Sequence, residues 1–152
     1  MITRTIEYVD YDGNQRKEKH YFNLTQFEAT EIAVEIPDDI VEDLESDAAN
    51  PENRVTTARN LTEKLGKKGV MDFIKNIVLK SYGVKSPDGK RFIKSEQLTT
   101  EFSQTLAFSS FMMRLMTDDE EASRFINGVI PPELAANMVK KPNVIEMTQE
   151  HE

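Results

Sequence analysis

The sequence predicts a mainly α protein, a small helical domain that carries an N-terminal β-hairpin. Three observations predict it. From Ser95 to Met116, Leu98, Phe102 and Leu106 recur every fourth residue, and the row continues through Met112 or Met113 to Met116. Phe108, Phe111 and Leu115 form a second row beside it, so one wide apolar stripe follows helical spacing. Second, Val70, Phe73, Ile74, Ile77 and Val78 repeat the same spacing, with Lys75 and Lys80 outside the stripe. Third, residues 2–24 alternate at period two around a glycine-bearing turn.

In chain order, residues 1–24 form the hairpin. Ile2, Ile6 and Tyr8 share one face of its first strand, and Phe22 and Leu24 share a face of its second, with Tyr21 opposite. Asp12-Gly13-Asn14 supplies residues tolerant of positive φ between them. An isolated hairpin is marginal, so it must pair with the helical body or, through an open edge, with a second copy.

The helical body is expected over residues 25–139. Thr25-Gln26-Phe27-Glu28 reads as a capping box opening a short helix that Pro37 ends near Ile36, although Ile32, Val34 and Ile36 also fit a strand. Residues 38–54 read as an acidic, weakly amphipathic, flexible connection broken by Asn50-Pro51-Glu52-Asn53. Val55 to Leu65 predicts a modest helix closed by Gly66. The Val70–Val78 helix stops at Tyr82-Gly83, and Ser86-Pro87-Asp88-Gly89 is a turn before a short extended Arg91-Phe92-Ile93.

Ser95 to Met116 then predicts one uninterrupted helix, since neither Gly nor Pro occurs within it; at full length it would run about 33 Å. Thr117-Asp118-Asp119-Glu120 reads as a second capping box, opening a helix through Ala122, Phe125 and Ile126 that stops at Asn127-Gly128. Pro132 starts a last helix through Leu134, Met138 and Val139, and residues 140–152 are expected to be a loose tail.

The bulk composition narrows the function. The chain has 152 residues, 30% of them charged, with no Cys and no Trp, which fits one soluble domain without disulfides or thiolate metal sites. The opening residues lack a signal-peptide apolar region and no run is long enough to span a membrane, so a cytoplasmic protein is expected. Net charge is −8, distributed as −9 over residues 1–50, +6 over 51–100 and −5 over the remainder. A basic middle between acidic ends points to internal complementarity, to contacts between copies, or to plain solvated faces. It argues against a nucleic-acid partner, because phosphate is repelled overall and basic residues are not interleaved with aromatics along the chain.

No catalytic, cofactor or metal constellation emerges. Asp10, Asp12 and Asn14 imitate a calcium loop, but Gly13 falls at the fourth position rather than the sixth and Tyr21 stands where a bidentate Glu belongs. His20 and His151 lack ligand partners at helical spacing, and Ser109-Ser110 lack a base. A non-enzymatic protein is expected. What remains is apolar surface: Phe108, Phe111, Met112, Met113, Leu115 and Met116 crowd nine residues. They serve as core, or as an adaptable face for apolar segments of another protein, since unbranched methionines repack around varied partners.

The blocks YVDYDGNQRKEKHYFNLTQFEATE, FIKNIVLKSYGVKSPDGKRFIKSEQL and TEFSQTLAFSSFMMRLMTDDEEASRFINGVIPPEL together resemble a tail assembly chaperone of long-tailed bacteriophages and prophages. They cover residues 8–31 and 73–134, whereas residues 38–66 depart from the family pattern. The resemblance implies a protein of the infected host's cytoplasm that coats the tape measure protein before the tail tube polymerises and is absent from the mature virion. It also implies a longer, frameshifted form as a possible companion, and a homo-oligomer is a further expectation. The alternative is a structural virion protein, a tail-tube or connector component. A third reading, an acidic DNA mimic, fits poorly with the +6 middle.

Overall fold

The computed structural model describes residues 1–50 and 56–130. Among them are six helices and a four-stranded antiparallel sheet whose strands lie side by side in chain order. The final predicted helix from Pro132 and the tail from Lys140 lie outside the described residues.

Strands β1 (Ile2–Val9) and β2 (Gln15–Phe22) form the expected hairpin, with Ile2 opposite Phe22 and Val9 opposite Gln15. Its turn is tied by Asp10, whose Oδ1 accepts the N–H groups of Asp12 and Asn14 at 2.9 Å each, while Gly13 takes φ +84°. Arg16 Nε donates to the other Asp10 oxygen at 2.7 Å and holds that carboxyl below the usual carboxylate range. Ile6 and Phe22 are buried on the helix side of the sheet.

The hairpin finds its partner within the chain. β3 (Tyr82–Lys85) pairs with β2 through Tyr21–Gly83 and Phe22–Tyr82, and β4 (Phe92–Ile93) pairs with β3. The sheet is therefore larger than the two strands expected, because Tyr82-Gly83 leads straight into a strand after it stops the preceding helix. Gly83 is required there: a Cβ would sit 2.4 Å from the Phe92 ring and 2.8 Å from the Ile93 carbonyl oxygen. The outer edge of β1 is covered by helix rather than open. Arg114 Nη1 donates to the Thr5 carbonyl at 3.2 Å and the Ser110 hydroxyl to the Glu7 carbonyl at 3.4 Å.

The helices start where capping chemistry dictates. α1 (Gln26–Glu35) opens with the predicted capping box: Glu28 N–H donates to Thr25 Oγ1 and Thr25 N–H to Glu28 Oε1. α2 (Asp38–Ala49) takes up the first part of the connection expected to be flexible, whose residues 51–54 lie outside the described residues; Ile40 and Leu44, one turn apart, bury its inner face. α3 (Thr57–Ser81) is two helical stretches divided at Gly66, whose φ of +77° only glycine adopts without strain.

The expected uninterrupted helix over 95–116 is instead two, α4 (Glu96–Ser103) and α5 (Leu106–Thr117). Thr105 makes the break. Its backbone is extended and its hydroxyl accepts the Phe108 N–H at 3.2 Å, so it begins a new helix where the periodicity continues undisturbed. α6 (Asp119–Val129) is capped by Asp118, which accepts the Glu121 N–H, rather than by Thr117, whose hydroxyl turns back to the Met113 carbonyl. α6 also continues past Gly128, which allows close packing: a Cβ there would meet Ile2 at 2.9 Å.

The core is an aromatic cluster between sheet and helices. Phe22 stacks on Phe111 at 5.3 Å, and Phe125 meets both rings edge-on at 5.2 and 5.3 Å. Phe102 and Tyr82 extend it, stacked 4.0 Å apart. A partly buried Glu121 carboxylate ties β1, α5 and α6 together, accepting Arg4 Nε at 2.7 Å and Arg114 Nη2 at 3.0 Å.

Candidate functional site

The residue types that bury α5 divide it lengthwise. Ala107, Phe111 and Leu115 are sealed in the core. Phe108, Met112 and Met116, at four-residue spacing, form a half-buried stripe along the next row. Met113, beside that stripe, is 59% exposed. The six residues expected to form a partner surface are thus split: Phe111 and Leu115 belong to the core, and the other four border solvent.

Met116 leads this stripe into a groove between α3, α5 and α6. The groove encloses about 360 Å³, with Val70, Met71, Ile74, Leu115 and Met116 as its apolar lining. Lys67 and Asp119 place one positive and one negative charge beside it. Gly66 lies immediately before Lys67, so the change of direction in α3 occurs at the groove itself.

A buried polar network fixes the wall formed by the start of α3. The Ala58 N–H donates to Ser123 Oγ at 2.9 Å, and that hydroxyl donates to the Asp119 carbonyl at 2.7 Å. Asn127 Nδ2 reaches both Thr57 Oγ1 at 2.9 Å and the Ser123 carbonyl at 2.8 Å. Asp47 completes the network from α2. Burial pushes its carboxyl up, opposed by its hydrogen bond to Thr57 and assisted by the neighbouring charge of Asp43. These bonds satisfy buried donors and position backbone; none activates a nucleophile.

Elsewhere the chemistry-bearing side chains are engaged structurally. Ser110 caps a strand carbonyl, and His20 is half-buried beside the stacked Phe102 and Tyr82 rings, 5.3 and 6.1 Å from their centres. Burial lowers the His20 pKa, against the pull of Glu18. Among the described residues no group of three His, Asp or Glu side chains is placed to hold a metal, and no helix is long and apolar enough to cross a membrane. What the described residues leave open is an apolar groove bordered by methionine.

Sequence spacing pointed to the α5 contribution but missed Met71. It is 47% exposed on α3, next to the Val70 row, and its side of the helix is revealed only when α5 and α6 are in place.

No curated protein and no solved structure matches the chain. A family profile described as phage tail assembly chaperone matches residues 1–152, the whole sequence. The family assists assembly and is generally non-catalytic, in keeping with a site that offers apolar contact, and the resemblance in residues 8–31 and 73–134 extends over the full length. The chain belongs to the phage tail assembly chaperone family.

Proposed function

We propose that this chain binds and solubilises the tape measure protein during tail morphogenesis, holding apolar helical segments of it in the groove and along the Phe108–Met112–Met116 stripe. The observation that carries this reading is the exposure of methionine beside an apolar groove: Met71 and Met116 line it, and Met113 stands out from the adjoining helix. Met side chains adapt to successive, non-identical segments of a long client, as one rigid pocket would not. Each contact is weak, and many copies on one rod give avidity. The chaperone acts in the host cytoplasm and leaves before the virion matures; a longer frameshifted form of itself is a companion on the same client.

Co-expression with a tape measure fragment tests this. The wild-type chain keeps the fragment soluble, whereas Met71→Asp with Met116→Asp, still folded by circular dichroism, does not. A fragment that is equally insoluble with and without the wild-type chain overturns the reading. So does stoichiometric recovery of the chain from purified particles, the outcome a structural virion protein predicts.

A further inference from the structure

Two opposite charges stand unanswered at the mouth of the apolar groove. Lys67, Val70, Met71 and Ile74 follow one another at i, i+3, i+4 and i+7, so they share one face of the second stretch of α3, and all four line the groove. From the other wall comes Asp119, three residues after Met116 and at the start of α6. The neighbouring acids of that first turn are engaged: Glu121 pairs with Arg4 and Arg114, and Glu120 faces Arg124 at 3.8 Å. On α3, Lys64 is likewise taken by Asp39 and Asp43, and Lys80 by Glu35. Lys67 and Asp119 are both exposed, and neither forms an ion pair with the other or with any other described residue.

Their place beside apolar surface gives these charges a weight that solvated ones lack. A segment laid in the groove strips water from its rim, and a charge that loses water without gaining a partner costs free energy. A segment carrying a carboxylate for Lys67 and a cation for Asp119 avoids that loss. One with two charges of the same sign meets repulsion at one of the two positions. The Lys67 stem adds apolar contact whichever segment binds. On a bound helix, side chains three or four residues from an apolar anchor lie on the same face, so an acid and a base are available one turn to either side of it.

We propose that Lys67 and Asp119 are the specificity-determining residues of the groove, selecting amphipathic helical segments whose apolar anchors are flanked by one acidic and one basic side chain. The inference rests on the client-binding reading and deepens it: Met71 and Met116 supply adaptable contact, and the two rim charges decide which apolar segments are admitted. Charge complementarity names this occupant, because the rim charges sum to zero and a segment of either single sign is answered at one position and opposed at the other. The groove's volume of about 360 Å³ lies at the small end of the roughly 300–1,000 Å³ of ligand pockets. It therefore takes the side chains of a short stretch, and the charges read the flanks of that stretch.

Fluorescence anisotropy of three labelled peptides, each about 20 residues long so that helix can form, tests it on the full chain. All three share leucines at four-residue spacing and differ in the residues one turn to either side: one Glu and one Lys, two Glu, or two Lys. At about 0.15 M salt, where charges more than about 8 Å away are screened, the wild-type chain binds the mixed peptide about twofold to fivefold more tightly than either of the others. Lys67→Glu moves the preference to the two-Lys peptide, and Asp119→Lys moves it to the two-Glu peptide. Lys67→Glu together with Asp119→Lys, whose net charge equals that of the wild type, returns it to the mixed peptide. Every variant stays folded in thermal melts, since both side chains are exposed. Equal binding of the three peptides by every chain overturns this inference and leaves client binding standing. Failure of the wild-type chain to bind any of them overturns both. Binding that falls as the chain is concentrated assigns the groove to a second copy and overturns the inference as well.

Discussion

Replacing Phe111 by Ala, with Met113→Ala as its control on the same helix, separates the structural row of α5 from its solvent-facing one. Phe111 is fully buried, stacked on Phe22 at 5.3 Å and met edge-on by Phe125 at the same distance. Truncation removes a ring from the centre of this cluster and leaves a cavity that two aromatic neighbours cannot collapse to fill, a loss of about 3–5 kcal/mol. That is a large share of the roughly 5–15 kcal/mol that keeps a domain folded. A loss of about 4 kcal/mol lowers Tm by roughly 8–16 °C in a chain of this size. Met113, 59% exposed, surrenders little on truncation, within about 0.5 kcal/mol. Urea unfolding followed by circular dichroism measures both, with unchanged m-values confirming that the midpoints report stability. A Phe111→Ala loss under about 1 kcal/mol, or a Met113→Ala loss equal to it, refutes the division of α5 into a core row and a surface row.

Three further outcomes are expected. Because burial lowers the His20 pKa below its unfolded value, the folded state resists protonation; stability is full above about pH 6.5 and declines as the pH falls beneath it, and His20→Phe flattens that decline in pH-dependent melts. The Asp47 carboxyl has the opposite shift, so its contribution is favourable only below the unfolded carboxylate pKa and is lost as pH rises through the folded value. Asp47→Asn, which retains an oxygen for Thr57, therefore raises Tm at neutral pH, and the gain vanishes below about pH 4. Gly83→Ala drives a methyl into the Phe92 ring and the Ile93 carbonyl, and because the second obstacle is backbone, Phe92→Ala does not rescue it; thermal melts should show a loss of about 1–3 kcal/mol in both backgrounds.

What the sequence revealed depended on whether the deciding interaction was local. The Asp10–Asn14 turn, the Thr25–Glu28 box and the Gly66 break are each settled within a few residues, and each was legible. The break at Thr105 was not. A threonine hydroxyl inside a helix can bond back to a carbonyl or cap a new start, and Thr105 Oγ1 does both, donating to the Phe102 carbonyl and accepting from Phe108. The extended Arg91-Phe92-Ile93 was visible but the third strand was not, because four residues are too short to show a period and its pairing depends on β2 some sixty residues earlier. The candidate surface followed the same rule. The apolar stripe was visible, but its allocation between Phe111 in the core and Met116 at the groove depends on α3 and α6, and Met71 acquires its place from them.

The way α5 lies along β1 has a consequence for a protein proposed to hold apolar segments of another chain. A bare border strand offers hydrogen-bonding groups to any passing extended chain, and a crowded pool of partly unfolded polypeptide would find it. Here Arg114 and Ser110 occupy the Thr5 and Glu7 carbonyls, so this border is not left as a ready template for fibrous growth. Along this border, contact with another chain is left to side chains rather than to a backbone ladder.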